Sequence, residues 1–219
     1  MNTSARKTEI LETFNYRHAT KEFDPERKIS EEDFQFILEA GRLSPSSGGN
    51  EPWKFIVVQS PEFRNELAPY AYGAVRQLPT SSHFVMILAR KDLTYDSPYL
   101  KEQQTQTLEM PLEIYKGMKP AYAQFYHDLH LDSERALLDW SSKQTFIALG
   151  NMMTAAAHIE IDSCAIEGFN LDAVNDLLQK KGLLGQNEYS LSVMAAFGYR
   201  VREGRSKKRR PMKDIVQFV

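Results

Sequence analysis

Three groups of residues could do chemistry: Arg17-His18-Ala19-Thr20-Lys21, Ser44-Pro45-Ser46-Ser47-Gly48-Gly49 and Arg205-Ser206-Lys207-Lys208-Arg209-Arg210. Together they offer cationic side chains and free backbone amides, the groups that bind a phosphate and stabilise an anionic ring. Singly, each has a plainer reading as a solvated helix end, a glycine-rich loop or a surface charge run. Other chemistries find less support. The single cysteine, Cys164, has no histidine or basic cluster beside it in sequence, so it reads as a small buried thiol rather than a nucleophile. His127 and His130 lack a cysteine or further carboxylate at ligand spacing, which argues against a metal. His83, ahead of an apolar run, reads as structural, and His158 as a cation favoured at a helix C-terminus. Trp53, Met152 and Met153 read as core. There is no Gly-x-Gly-x-x-Gly fingerprint for a resident dinucleotide.

The charge balance bounds the partners. The 219 residues carry 27 Lys and Arg against 29 Asp and Glu, a formal net charge of -2. Coating nucleic acid or anionic membrane needs a strongly basic surface, so neither is expected. The alternative from a different class is a nucleic-acid or acidic-partner binding module built on Arg202, Arg205 and Lys207 to Arg210. It requires the basic patch to spread over a face, whereas the rest of the chain is net acidic. The longest apolar stretches, such as Phe84 to Ala89, are strand length, far short of the roughly 20 residues that span a bilayer. The polar N-terminus has no signal-like apolar region, and a lone cysteine suits a reducing compartment; a cytoplasmic location is expected.

The elements that must position these groups are legible in part. A helix is expected around Thr8 to Tyr16. A second starts at Ser30, an N-cap with Asp33 in the capping-box place and a staple between Ile29 and Phe34. The turn-rich segment from Ser44 to Pro52 leads into a strand from Trp53 to Val58, and Ser60-Pro61 opens a short helix. Strands are expected at Phe84 to Ala89 and Tyr189 to Phe197. The stretch from about Tyr95 to Leu131, with Pro98, Pro111 and Pro120 as breakers, reads as a partly helical excursion outside the core that covers a site. A long helix from Ser133 to His158 is apolar or small on nearly every side from Phe146 to Ala157, so it must be buried on most faces. A last helix from Leu171 to Lys181 stops at Gly182. With no repeats and no linker, the sequence implies one α+β domain over residues 1–219.

Four blocks in order carry more than composition: Tyr16 to Phe23, Leu43 to Phe55, Ile166-Glu167-Gly168-Phe169 and Lys207 to Pro211. Over nearly the whole chain, least from about Tyr95 to Leu129, the sequence resembles the FMN-dependent nitroreductases, and within them the bacterial oxygen-insensitive NAD(P)H enzymes. The resemblance implies a mixed, mostly antiparallel sheet flanked by helices, with the C-terminal strand exchanged between subunits. It implies tightly bound FMN, NAD(P)H as co-substrate, and a nitroaromatic, quinone or similar flat acceptor reduced by ping-pong hydride transfer; a flavin or quinone reductase of the same fold is the variant reading.

The resemblance also carries residue roles. Arg17, His18, Lys207 and Arg209 match the surroundings of the ribityl chain and phosphate, and Ala19 stands where many relatives have a serine donor. Lys21 matches the lysine beside flavin N1, where negative charge appears on reduction. Pro45, Ser46, Ser47 and Gly48 match a loop that reaches the flavin from the other subunit. Gln77 falls where relatives carry a Lys or Gln that donates to the pyrimidine ring. Glu167 and Gly168 match the pair over the N5 edge; Lys21 and Glu167 are the catalytic candidates, and no metal is implied. Tyr122 and Phe125 are the candidate substrate-facing aromatics. A homodimer is expected twice over: from the apolar helix, which one short chain can hardly cover, and from the apolar tail after Pro211.

Overall fold

The computed structural model describes residues 2–219. Its centre is a four-stranded sheet, β1 (Trp53–Val57), β2 (His83–Arg90), β3 (Asp162–Ile166) and β4 (Tyr189–Gly198), in the order β1-β2-β4-β3. All three pairings are antiparallel; a single parallel bridge joins Ala19 to Ser163. β2 is buried at all eight positions, as a central strand covered on both faces must be. Its side chains alternate. Val85 and Ile87 enter one core cluster with Phe34, Ile37, Leu149 and Met152, while Phe84, Met86 and Leu88 enter another with Leu67, Leu78, Val174 and Leu178. The register of β4 slips by one residue opposite Ile87 and Leu88, so Leu191 and Val193 serve opposite faces.

Helices cover both faces. On the first lie α2 (Glu31–Arg42) and the 25-residue α7 (Glu134–His158). The other face is covered by α3 (Pro61–Leu67), the short α4 (Gln77–Thr80) and α8 (Leu171–Lys180). The start of α2 follows the sequence reading: Ser30 Oγ accepts from the Asp33 amide at 3.1 Å, and Ile29 and Phe34 are both buried. α1 (Thr3–Tyr16) begins at Thr3 rather than Thr8, because Asn2 caps it by accepting from the Ser4 amide. Its apolar residues Ile10, Leu11 and Phe14 are exposed.

Two expectations are corrected. The sequence reading named three strands and missed β3, whose first residues, Asp162 and Ser163, are polar yet buried. The excursion is also more regular than expected. Pro98 opens α5 (Pro98–Glu102), Pro111 caps α6 (Leu112–Asp128), and Pro120 lies inside that 17-residue helix instead of breaking it. Nor is it wholly outside the core, since Leu93 and Tyr126 pack with Leu137 and Trp140 in a third cluster. α7 leaves Phe146 and Ile147 39% and 41% exposed. Among the described residues no helix is long and apolar enough to cross a membrane.

Candidate active site

The open end of β3 organises the candidate residues. Thr20 N donates to Ser163 O at 3.3 Å, pinning the segment after α1 against the strand. Behind it lies a buried acid, Asp162, whose side chain is 1% exposed. Arg200 closes on it with Nε at 3.0 and 2.9 Å from the two carboxylate oxygens and Nη2 at 2.7 Å, and its amide donates at 2.9 Å. Pairing and hydrogen bonding of this kind are what make a buried carboxylate tolerable. Thr20 Oγ1 donates to Asp162 at 3.2 Å and lies 3.1 Å from His18 Nε2, while His18 Nδ1 faces the Tyr16 carbonyl at 3.4 Å and Asp162 at 3.6 Å. His18 is thus held from behind by Thr20 and by Asp162, itself clamped by Arg200, and sequence reasoning missed both the acid and the arginine. The available signal was an acid inside an apolar run.

In front, Arg17, His18 and Ala19 line a depression of about 710 Å³ with Arg205, Ser206, Lys207, Lys208 and Arg209. No carboxylate lines it. Lys207 Nζ donates to the Arg17 carbonyl, which folds the basic tail back onto the first cluster. Burial, with Arg17 and Arg209 nearby, pushes the Lys207 ammonium below the ordinary lysine range. Among the described residues, none of Arg17, Lys21, Lys207 and Arg209 is paired with a carboxylate. An adjoining depression of about 530 Å³ continues over Lys21, Arg76, Arg202 and Gly204. Glu22 takes up two of the cations there, at 2.5 Å from Arg202 and 3.9 Å from Arg76.

Lys21 and Gln77 are brought together by a third residue. Lys21 Nζ and Gln77 Nε2 each lie 3.6 Å from Cys164 Sγ. The thiol is fully buried and its hydrogen faces its neighbour's carbonyl, Ala165 O, at 3.4 Å. Cys164 is therefore the buried thiol expected, and also the point where two distant site candidates meet. Three residues further along, Glu167 is exposed where the chain leaves β3. Gly168 next to it has a reason of its own: its carbonyl accepts from Gly73 N at 2.6 Å, and a Cβ added to Gly168 would stand 2.8 Å from Gly73 Cα.

The loop from Pro45 to Gly48 lines neither depression. It sits ahead of β1, where Gln144 of α7 accepts from the Ser47 amide at 2.9 Å. Gly48 and Gly49 both adopt left-handed φ values, 62° and 65°, which only glycine takes readily. On another side, a groove lined by Lys28, Arg64 and His83 has a different character. Arg64 donates to the carbonyls of Val58, Leu78, Ser81 and Ser82, tying α3 to the start of β2. His83 stacks on Phe34 at 3.7 Å, and burial pulls its pKa down to about 4, so it is the structural histidine expected. Among the described residues no three of His, Cys, Asp and Glu converge as metal ligands would.

An antiparallel sheet between two helical layers, with a carboxylate-free cationic depression beside it, defines an α+β domain with charge gathered in one place. Comparison with known proteins narrows it. Residues 15–199 match the profile of the Nitroreductase family, and the chain belongs to that family. A Bacillus subtilis (strain 168) protein provisionally named NAD(P)H nitroreductase YfkO is 56% identical over 217 residues, 97% of this chain and 98% of that one. A Staphylococcus aureus (strain USA300) protein of the same provisional description is 50% identical over 96% of this chain and 95% of its own. Among solved structures, a nitroreductase-like protein from Streptococcus mutans superposes with a TM-score of 0.81 at 19% identity, covering 97% of this chain and 99% of that one. A provisionally named nitroreductase from Exiguobacterium sibiricum, solved in complex with FMN, gives 0.75 at 25% identity and covers 97% and 96%.

Proposed function

We propose that the chain is an FMN-dependent NAD(P)H oxidoreductase that reduces nitroaromatics, quinones or similar flat acceptors, and that it works as a homodimer. The observation that carries this reading is the meeting of Lys21 and Gln77 at Cys164, next to a depression lined by Arg17, His18, Lys207 and Arg209 and by no acid. The donor set fits the group: several unpaired cations suit a dianionic phosphate, and one cation with one amide suits a polar ring edge. FMN, when bound, supplies the hydride acceptance and delivery that the chain's own side chains cannot.

The residues divide the remaining work. Arg17, Lys207 and Arg209 would neutralise the phosphate; His18, held by Thr20 and backed by Asp162, lines the same depression. Lys21 and Gln77 would hold the polar edge of the ring, where the ammonium would favour negative charge. Glu167 and Gly168 would present backbone to the ring. Pro45, Ser46, Ser47 and Gly48 serve the site of the partner, which is why they can stand apart from this chain's own depressions. The basic run closes on Arg17 through Lys207 rather than extending as one face, which favours a phosphate cradle over a nucleic-acid surface.

Colour and half-reactions test the reading. The purified protein is expected to be yellow and to release FMN on denaturation. NADH or NADPH should bleach it without oxygen, and a nitroaromatic or quinone should restore the colour. A protein that stays colourless after incubation with FMN overturns the proposal.

A further inference from the structure

The loop before β1 is held by an unusual clamp. Four consecutive carbonyls face side-chain donors of one short segment: Gly48 O accepts from Gln104 Nε2 at 2.8 Å, Gly49 O from Gln103 Nε2 at 2.9 Å, and Asn50 O and Glu51 O share the single Tyr99 Oη hydrogen at 2.8 and 2.9 Å. Gln103 and Gln104 are both buried and open a π-helical turn, Gln103–Thr107, between α5 and α6. Its signature is the Leu108 amide donating to Gln103 O at 3.0 Å, five residues back. Such turns are rare and concentrate at functional sites. Leu108, at its end, closes over Gly49: an added Cβ there would stand 2.9 Å from Leu108 Cδ1.

Gln104 does more than its neighbours. Its amide nitrogen has two hydrogens, and the second goes to Asn50 Oδ1 at 3.0 Å. Its carbonyl oxygen faces Tyr122 Oη of α6, a longer contact of 3.4 Å. One buried side chain therefore touches both the glycine loop and the helix above it. Resting on the function proposed above, in which residues 45–48 serve the partner's flavin site, and on Tyr122 and Phe125 of α6 as the candidate substrate-facing aromatics, we propose that Gln104 is a positioning residue that couples the cover helix to the flavin loop. Acceptors that displace α6 then also disturb the loop, so acceptor fit and FMN retention are set together.

Amide hydrogen exchange on the full chain, with and without FMN, tests the coupling. Gln104→Leu removes every polar contact, Gln104→Glu keeps the size and removes the donors, and Gln103→Leu breaks only the bond to Gly49. Gln104→Leu should exchange roughly tenfold faster in residues 46–51 and also in residues 119–126, whereas Gln104→Glu, whose carboxylate still accepts from Tyr122, and Gln103→Leu should change the loop alone. FMN should leave the Gln104 variants roughly tenfold faster, with KM for a 1,4-naphthoquinone rising more than kcat falls. Unchanged exchange in residues 119–126 of Gln104→Leu overturns the coupling, as does an unchanged loop. Should Gln104→Leu not fold, Tyr122→Phe decides, since it cuts the same link from α6: faster exchange in residues 46–51 supports the coupling and unchanged exchange there overturns it. A parent that binds no FMN defeats the proposed function, while the exchange data still decide the coupling.

Discussion

Among the described residues the Lys21 ammonium pairs with no carboxylate, and its side-chain contact is the Cys164 sulfur. Removing that charge should be felt where new negative charge forms. Lys21→Met is expected to lower the flavin potential by on the order of 30 mV, a tenfold effect for a two-electron couple, and to leave FMN affinity nearly unchanged. Redox titration against a reference dye gives the answer, and a potential equal to the parent's removes Lys21 from that role. Arg209 makes the opposite case. Phosphate bears the same charge in both redox states, so Arg209→Ala should weaken FMN binding roughly tenfold without moving the potential. Equilibrium dialysis with normal FMN affinity would take Arg209 out of the site. The residue types needed for these roles were legible in the sequence, but their meeting was not. Residues 21, 77 and 164 are joined only by tertiary structure, and a lone apolar-looking cysteine gave no hint that it receives two donors.

Elements carry two further predictions. His83, against Phe34 at the start of β2, is neutral in the fold because burial holds its pKa near 4, against 6.5 when free. Between those values the unfolded chain binds the extra proton, so the contribution is complete above about pH 6.5 and is lost as pH falls toward about 4. The expected loss is roughly 1–2 kcal/mol, discounted because the groove admits water beside the ring. Urea midpoints at pH 7 and 4.5 should converge in His83→Phe, which keeps the stacked ring without the titration. Gly168→Val forces a side chain into Gly73 at the end of β3 and should cost at least about 1–3 kcal/mol by thermal unfolding. A variant as stable as the parent would mean the segment at Gly73 yields freely. Element by element, α2 could be read from its cap and staple because those signals are local. β3 could not, since Asp162 and Ser163 look like loop residues until Arg200 and the neighbouring strand cover them. α6 was hidden by Pro120, a residue that usually ends helices yet is accommodated here inside one.

For the whole molecule, the apolar surface left over in one chain points to a second copy. Ile10, Leu11 and Phe14 of α1, Phe36 of α2 and Phe146 and Ile147 of α7 are exposed, and Phe218 in the tail is 96% exposed. Exposed apolar area on this scale is uncommon on a monomer. We expect an obligate homodimer in which the tail crosses to the partner and adds to its sheet. Deleting Met212 to Val219 should then lower both the mass by light scattering and the bound FMN. A yellow monomer of full stability would sink that arrangement. The sequence pointed to the need for a partner through the apolar helix, but the exposed faces of α1 and α2 appear only when the chain is folded. One strand gives the tail a further importance. β1 pairs with β2 on one side only, so among the described residues the outward backbone groups of Phe55 and Val57 have no strand partner, with Lys54 the one charge in the strand. An uncovered, β-branched edge of this kind recruits strands from any chain that offers one. A partner's tail would then act as a guard against aggregation, and chains made faster than they find each other should form insoluble, sheet-rich deposits.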